Sequence, residues 1–256
     1  MTDLFAFGSA VKDPTDADRY GSAGDMKKTQ YMMQLLGQPT DPDTLKCLIV
    51  AAEKGVELES AVIDISGGAA DSDDYRAIDP LGCTPALQEA NYRVTGDLAI
   101  ISFIEGRGLG NRMPPRNAAV LAQQNFWADV ARRDFDPLVR GLVQVALSDS
   151  PDATQVAEQR TAAAQLLDAL DQQLHGREFI VGPYSYADVH WTAYVHLLNE
   201  TGYNDLVARG GNVLAWFERI KSHRSCSGQN IVAYDLLPKL DDLRAQRLQD
   251  VVITDF

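Results

Sequence analysis

Asp79-Pro80-Leu81-Gly82-Cys83-Thr84-Pro85-Ala86-Leu87 sets two prolines and a glycine directly ahead of a short apolar run. Proline lacks a backbone donor and has a fixed φ, so Pro85 belongs at the start or edge of a strand. The residues that follow read as a hairpin, with 86–89 pairing with 92–94 across Ala90-Asn91. Residues 97–105 then carry helical periodicity.

Upstream, 3–8 is a short apolar run ending in glycine and reads as a first strand. Residues 9–41 are polar and rich in Gly, Pro and Asp, and read as an insertion. Within it, 25–36 reads as a helix, with Asp25 at the N-cap, Gly37 at C′, and Met32, Leu35 and Leu36 on one face. A clearer helix spans 42–55, where Leu45, Leu48, Ile49 and Ala52 follow the i, i+3, i+4, i+7 rule and Gly55 ends it. A strand over 57–65 and a short helix over 72–78 complete the half. The order β, α, β, α, β, β, α implies an α/β layer with parallel pairing and an antiparallel hairpin at its edge. It resembles the thioredoxin-like order. In such folds a proline placed like Pro85 follows a cis bond, an uncommon geometry. The residue before it, here Thr84, then turns its main-chain N–H and C=O toward a thiol peptide.

Residues 106–116 are rich in glycine and proline and read as a linker. Beyond it only helical periodicity appears, over 117–147, 153–174, 186–200, 213–222 and 231–248. The charge balance is 23 − 36 = −13, which disfavours nucleic acid and anionic membranes as partners. No window is long and apolar enough to span a membrane, and the N-terminus lacks a secretory pattern. Cys47, Cys83 and Cys226 are an odd count without CxxC spacing. They predict neither a disulfide framework nor a metal cage, and so a reduced, cytoplasmic protein.

Ser185-Tyr-Ala-Asp188 adds a helix-start signature. Serine at the N-cap and a carboxylate three residues on form a capping box, with Tyr184 and Val189 at the staple positions. Together with the Asp79–Leu87 run, 94–100 and Phe103-Ile104, it makes the chain resemble the cytosolic glutathione S-transferases. The resemblance implies a thioredoxin-like domain over 1–106, a linker over 107–117 and an all-helical domain over 118–256. It also implies a homodimer, glutathione as co-substrate and no metal. More narrowly, Asp43-Thr44-Leu45-Lys46 and Glu53-Lys54-Gly55 resemble the first helix of bacterial β-etherase-type transferases.

The implied chemistry is thiolate attack on an electrophilic small molecule such as an aromatic ether, epoxide or quinoid ring. It would serve aromatic catabolism or sulfur incorporation in secondary metabolism. A free thiol with a pKa near ~8.5 is mostly protonated at neutral pH, and a donor at a helix N-terminus favours its anion. Thr44 is expected to be that hydroxyl donor. Asp43 stands where the β-etherase relatives have an amide, and a carboxylate there repels a thiolate unless it turns away. Thr84, Pro85, Gly96, Asp97 and Asp43 are expected to hold the peptide, with Asp97 receiving its ammonium group. Phe126, Trp127 and Arg133 are expected to line the electrophile pocket, by stacking and by carboxylate binding. The 9–41 insertion, with Tyr20 and Tyr31, is expected to act as a lid or dimer surface. Two other readings stand beside this one: a non-catalytic binding protein on the same fold, and a glutathione-dependent reductase using Cys83.

Overall fold

The computed structural model describes residues 33–38, 41–63, 68, 71–90, 92–146 and 152–226. The expected strand at 3–8, the tyrosines at 20 and 31, and the expected helix at 231–248 lie outside these. The first described strand, β1 (Met33–Gly37), sits inside a four-stranded sheet. β2 (Leu58–Val62) pairs parallel to it, β3 (Ala86–Glu89) pairs antiparallel on its other side, and β4 (Tyr92–Thr95) closes the hairpin. The sheet order is β2-β1-β3-β4.

The helix expected over 25–36 is therefore corrected where the structure describes it. Leu35 and Leu36 are both buried, as in a strand covered on two faces. A short apolar run carries no periodicity that separates strand from helix, and here its length decides for strand. Gly37 is not a helix terminator. A Cβ on it would sit inside contact distance of the Thr44 side chain and 3.2 Å from Pro85 Cβ, so glycine lets β1 pass close to both. Residues 33–37 accordingly form the first described strand and Asp41 caps the first described helix, so neither belongs to an insertion.

α1 (Pro42–Lys54) begins at Asp41, whose carboxylate accepts from the Thr44 N–H at 3.3 Å, and ends at Gly55 in the left-handed region at φ 64°. Asp before Pro is a favoured N-cap and N1 pair. α2 (Asp73–Arg76) is a single turn capped by Ser72. α3 (Asp97–Arg107) starts at Gly96, whose φ is 82°. α1 packs on α3 and on the second half of the chain, and Leu45, Ile49, Leu87, Ile100 and Ile104 are buried in the shared core.

Past the connection at 108–117 the described residues are helical: α4 (Ala118–Val130), α5 (Asp136–Ala146), α6 (Ala153–Leu174), α7 (Tyr186–Glu200), α8 (Asn204–Ala208) and α9 (Gly211–Ser222). α4 and α5 are joined by a π-helical turn, Ala131–Phe135, where the Asp136 N–H donates to the Ala131 carbonyl five residues back. The extra residue re-phases the helix. Phe135 turns fully inward and lies 4.7 Å from Trp191, ring centre to ring centre. α7 is the central helix, buried from Ala187 to Leu198. Its capping box forms as expected, and Asp188 also accepts from the Ile180 N–H and Trp216 Nε1, each at 3.0 Å.

Candidate functional site

The Thr84–Pro85 peptide bond is cis, as the sequence pattern leads one to expect. The loop before it is braced. Asp79 accepts from the N–H groups of Leu81 and Cys83, and Tyr75 Oη donates to the Cys83 carbonyl at 2.7 Å. Gly82 takes a positive φ of 67° within the turn. Thr84 is half-buried, and no described hydrogen bond engages its main chain.

Two helix N-termini meet beside Pro85. The Gly96 N–H donates to the Pro85 carbonyl at 2.9 Å, which sets the start of α3 against the loop. Thr44, in the first turn of α1, lies against Gly37 next to Pro85. Thr44 is buried, and its Oγ1 sits 3.5 Å from Asp41 Oδ2, a long and weak contact. Pro42 has no N–H and Asp41 takes that of Thr44, so α1 offers fewer free donors than most helix starts.

The charged groups around this point form one connected set. Lys46, fully buried, places Nζ 2.5 Å from both Asp43 Oδ1 and Asp97 Oδ2, and 3.2 Å from Tyr194 Oη. Arg140, on α5, donates from Nη1 to Asp41 at 3.0 Å, from Nη2 to Asp43 at 3.2 Å, and from Nε to Asp136 at 2.7 Å. Asp43 thus turns toward two cations. Asp97 is already ion-paired within the protein, whereas the sequence leads one to expect a carboxylate open to a peptide ammonium. Burial, with Asp43 next, pushes the Asp41 carboxyl up, against the pull of Arg140. Burial also raises Asp136. Lys46 lies above the ordinary lysine range: burial acts to lower it, but Tyr194, Asp43 and Asp97 together outweigh that.

The remaining candidates fall elsewhere. Phe126 is exposed and meets Trp127 edge-on at 5.6 Å, and Trp127 lies 6.0 Å from Trp191. Arg133 points to solvent from the π-helical turn, paired with Asp129 and Asp134. No described hydrogen bond, ion pair or ring contact joins these three directly to Thr44, Thr84 or Asp97. Clefts of about 690 and 710 Å³ open at the far end of α1, around Ala52, Val56, Leu58 and Leu109, and between α6 and α8, around Val156, Arg160 and Leu206. Neither reaches the cis-proline loop. Cys47 is buried and its thiol is pushed up by burial. Cys83 is exposed, yet burial and Asp79 raise its thiol as well. No group of three or more His, Cys, Asp or Glu side chains among the described residues is placed to hold a metal ion.

Sequence reasoning missed Asp41 and Arg140. The Asp41-Pro42 pair was a legible N-cap signal. Arg140 was not legible, because its partners lie 97 and 99 residues away.

A sheet carrying a cis-proline loop, followed by a helical half with a buried capping box, can be compared with known proteins. The family model "Glutathione S-transferase, C-terminal domain" matches residues 135–223. Glutathione S-transferase 3 of Zea mays is 26% identical over 215 residues, covering 80% of this chain and 96% of its own. The structure of glutathione transferase F7 from Populus trichocarpa superposes with a TM-score of 0.69 at 25% identity, over 76% of this chain and 96% of that one.

The fold is that of the glutathione S-transferases.

The comparisons support a place in the glutathione S-transferase superfamily. A β-etherase from Sphingobium sp. also superposes, with a TM-score of 0.65 over 76% of this chain and 97% of its own. At 21% identity that likeness speaks for the fold alone. The narrower β-etherase resemblance is unconfirmed: the relative by sequence named above is a plant glutathione S-transferase.

Proposed function

We propose that the chain is a glutathione S-transferase-type enzyme that joins a peptide thiolate to an electrophilic small molecule. The observation that carries this reading is the meeting of two helix N-termini and an unengaged Thr84 main chain around Pro85. In this reading the Thr84 N–H and C=O pair with the cysteinyl unit of glutathione, as one more strand would. The thiol then lies toward the start of α1. The positive end of the helix dipole favours the thiolate there. Thr44 supplies the hydroxyl: its bond to Asp41 is long enough that the proton can turn to sulfur. The first N–H groups of α3, beyond that of Gly96, face the peptide carboxylate.

The sulfur attacks an electrophilic carbon, the C–S bond forms, and the leaving group departs with the electron pair of the broken bond. For an epoxide, the ring oxygen takes that pair and then a proton. The electrophile approaches from the helical half. Aryl ethers, the substrates of β-etherases, are one class to test among several. A homodimer in the cytoplasm is the assembly and place this reading carries.

The reductase reading needs an acidic thiol at Cys83, and burial together with Asp79 pushes that thiol the other way. The test of the main reading is incubation with glutathione and a panel of activated aryl ethers, epoxides and quinones, followed by mass spectrometry. The expected product carries glutathionyl sulfur bonded to carbon. Glutathione binding weaker than millimolar, with no conjugate from any class, would refute it.

A further inference from the structure

The start of α1 carries two carboxylates, Asp41 and Asp43, at the point where the proposed function puts a thiolate. Like charges so close raise the cost of ionising sulfur. Their compensation comes from the other half of the chain. The π-helical turn re-phases α5, and Asp136 holds the Arg140 guanidinium by Nε, a pairing across one helical turn. The two outer nitrogens then reach Asp41 and Asp43 separately. One positive charge is thereby set against both carboxylates. The Arg140 side chain is 42% exposed, so it lies at the rim of the site and not in the core.

We propose that Arg140 is a positioning residue for thiol ionisation: by bridging Asp41 and Asp43 it withdraws their negative charge from the sulfur and so sets the pH at which the bound thiol becomes a thiolate. The inference rests on the proposed function. It adds a specific residue, on the helical half, that controls the chemistry on the thioredoxin-like half. The charged and titratable groups facing this point are Asp41 at the cap and Asp43, Lys46 and Cys47 from α1, Asp97 from α3, Asp136 and Arg140 from α5, and His190 and Tyr194 from α7. Lys46 is spent on Asp43, Asp97 and Tyr194, and it makes no described bond to Asp41. Arg140 is the cation that Asp41 bonds among the described residues.

The experiment is a pH titration of the thiolate ultraviolet absorbance of glutathione bound to the full-length wild type, Arg140→Gln, Arg140→Lys and the double variant Arg140→Gln/Asp41→Asn. The midpoint of Arg140→Gln is expected about one pH unit above wild type, roughly a tenfold loss of thiolate below the midpoint. Arg140→Lys, which keeps the charge, should stay within a few tenths of a unit, and the double variant should return toward wild type. An Arg140→Gln midpoint equal to wild type overturns the inference, even if stability or turnover falls, because Arg140 would then only staple two segments together. The same holds if Arg140→Lys moves as far as Arg140→Gln. If wild type binds no glutathione, the proposed function itself fails and this inference with it.

Discussion

Asp188→Ala should destabilise the protein several times more than loss of an ordinary helix cap. Asp188 is fully buried and accepts four hydrogen bonds: from the N–H groups of Ile180 and Ser185 at 3.0 Å, from Ser185 Oγ at 3.2 Å and from Trp216 Nε1 at 3.0 Å. The carboxylate therefore ties α7, the Phe179–Gly182 bridge region and α9 to one another. Removing it strands three fixed donors in the core, and an unpaired buried donor costs about 1–3 kcal/mol. Burying the charge has its own cost. The Asp188 carboxyl is pushed up to about 6 by burial, against the pull of its hydrogen bonds, and relative to 3.8 that offsets about 3 kcal/mol at neutral pH. The balance is a loss centred near about 3 kcal/mol, and at most about 6, for Asp188→Ala at pH 7. Ser185→Ala should cost only about 1 kcal/mol.

The assay is urea unfolding followed by tryptophan fluorescence, with the slope against urea unchanged so that the midpoints compare. The pH dependence gives a second check. Because the folded-state value exceeds the unfolded one, this group's contribution is full below about 3.8 and is lost as pH rises through about 6. Asp188→Asn should lack that slope. A loss for Asp188→Ala no larger than for Ser185→Ala would refute the reasoning, because the carboxylate would then be a cap and not the hub of three segments.

His196 is buried and its imidazole is lowered to about 3 by burial, so the wild type should lose stability as pH falls from 6.5 toward 3 while the unfolded histidine takes up its proton; His196→Gln should flatten that part of the stability curve. Lys46→Met leaves Asp43 and Asp97 without their buried cation and should cost about 3–5 kcal/mol by thermal or urea unfolding, with part recovered in Lys46→Met/Asp97→Asn. Cys83→Ser should keep glutathione-transfer turnover within about twofold, and a tenfold fall, about 1.4 kcal/mol of barrier, would revive the thiol-redox reading. Thr44→Ala should lower turnover at least about tenfold and move the acid limb of the pH–rate profile upward. Thr44→Ser should retain activity, and an unmoved profile in Thr44→Ala would place the hydroxyl donor elsewhere.

What the sequence made legible was the part governed by short-range physics. The hairpin over β3 and β4, the capped α1 and α7, and the starts of α2 and α3 follow from turn residues, caps and periodicity, and these act within a few residues. β1 was misread because Met33–Gly37 is buried on both faces, and a two-sided apolar strand has no alternating pattern. Gly37, which looked like a helix end, answers instead to the close approach of Thr44 and Pro85. The site was legible in its cis-proline loop but not in its electrostatics. Asp43 and Asp97 looked available for a ligand because their partners are set by tertiary packing: Lys46 reaches Asp97 across 51 residues, and Arg140 reaches Asp43 across 97. The re-phasing that aims Arg140 comes from a π-helical turn, and nothing in the pattern of Ala131–Phe135 marks it apart from an ordinary helix.

The central claim is that a thiol peptide is held by the Thr84 main chain. Thr84→Pro removes that N–H; it also fixes φ there and restricts Cys83 before it, so the unfolding control is part of the test. Calorimetric titration of glutathione into wild type and Thr84→Pro, with urea unfolding run on both, tests the claim most directly. The account predicts a measurable binding heat for wild type and its loss in a Thr84→Pro protein that unfolds at the same urea concentration. Equal affinity in the two proteins would contradict it.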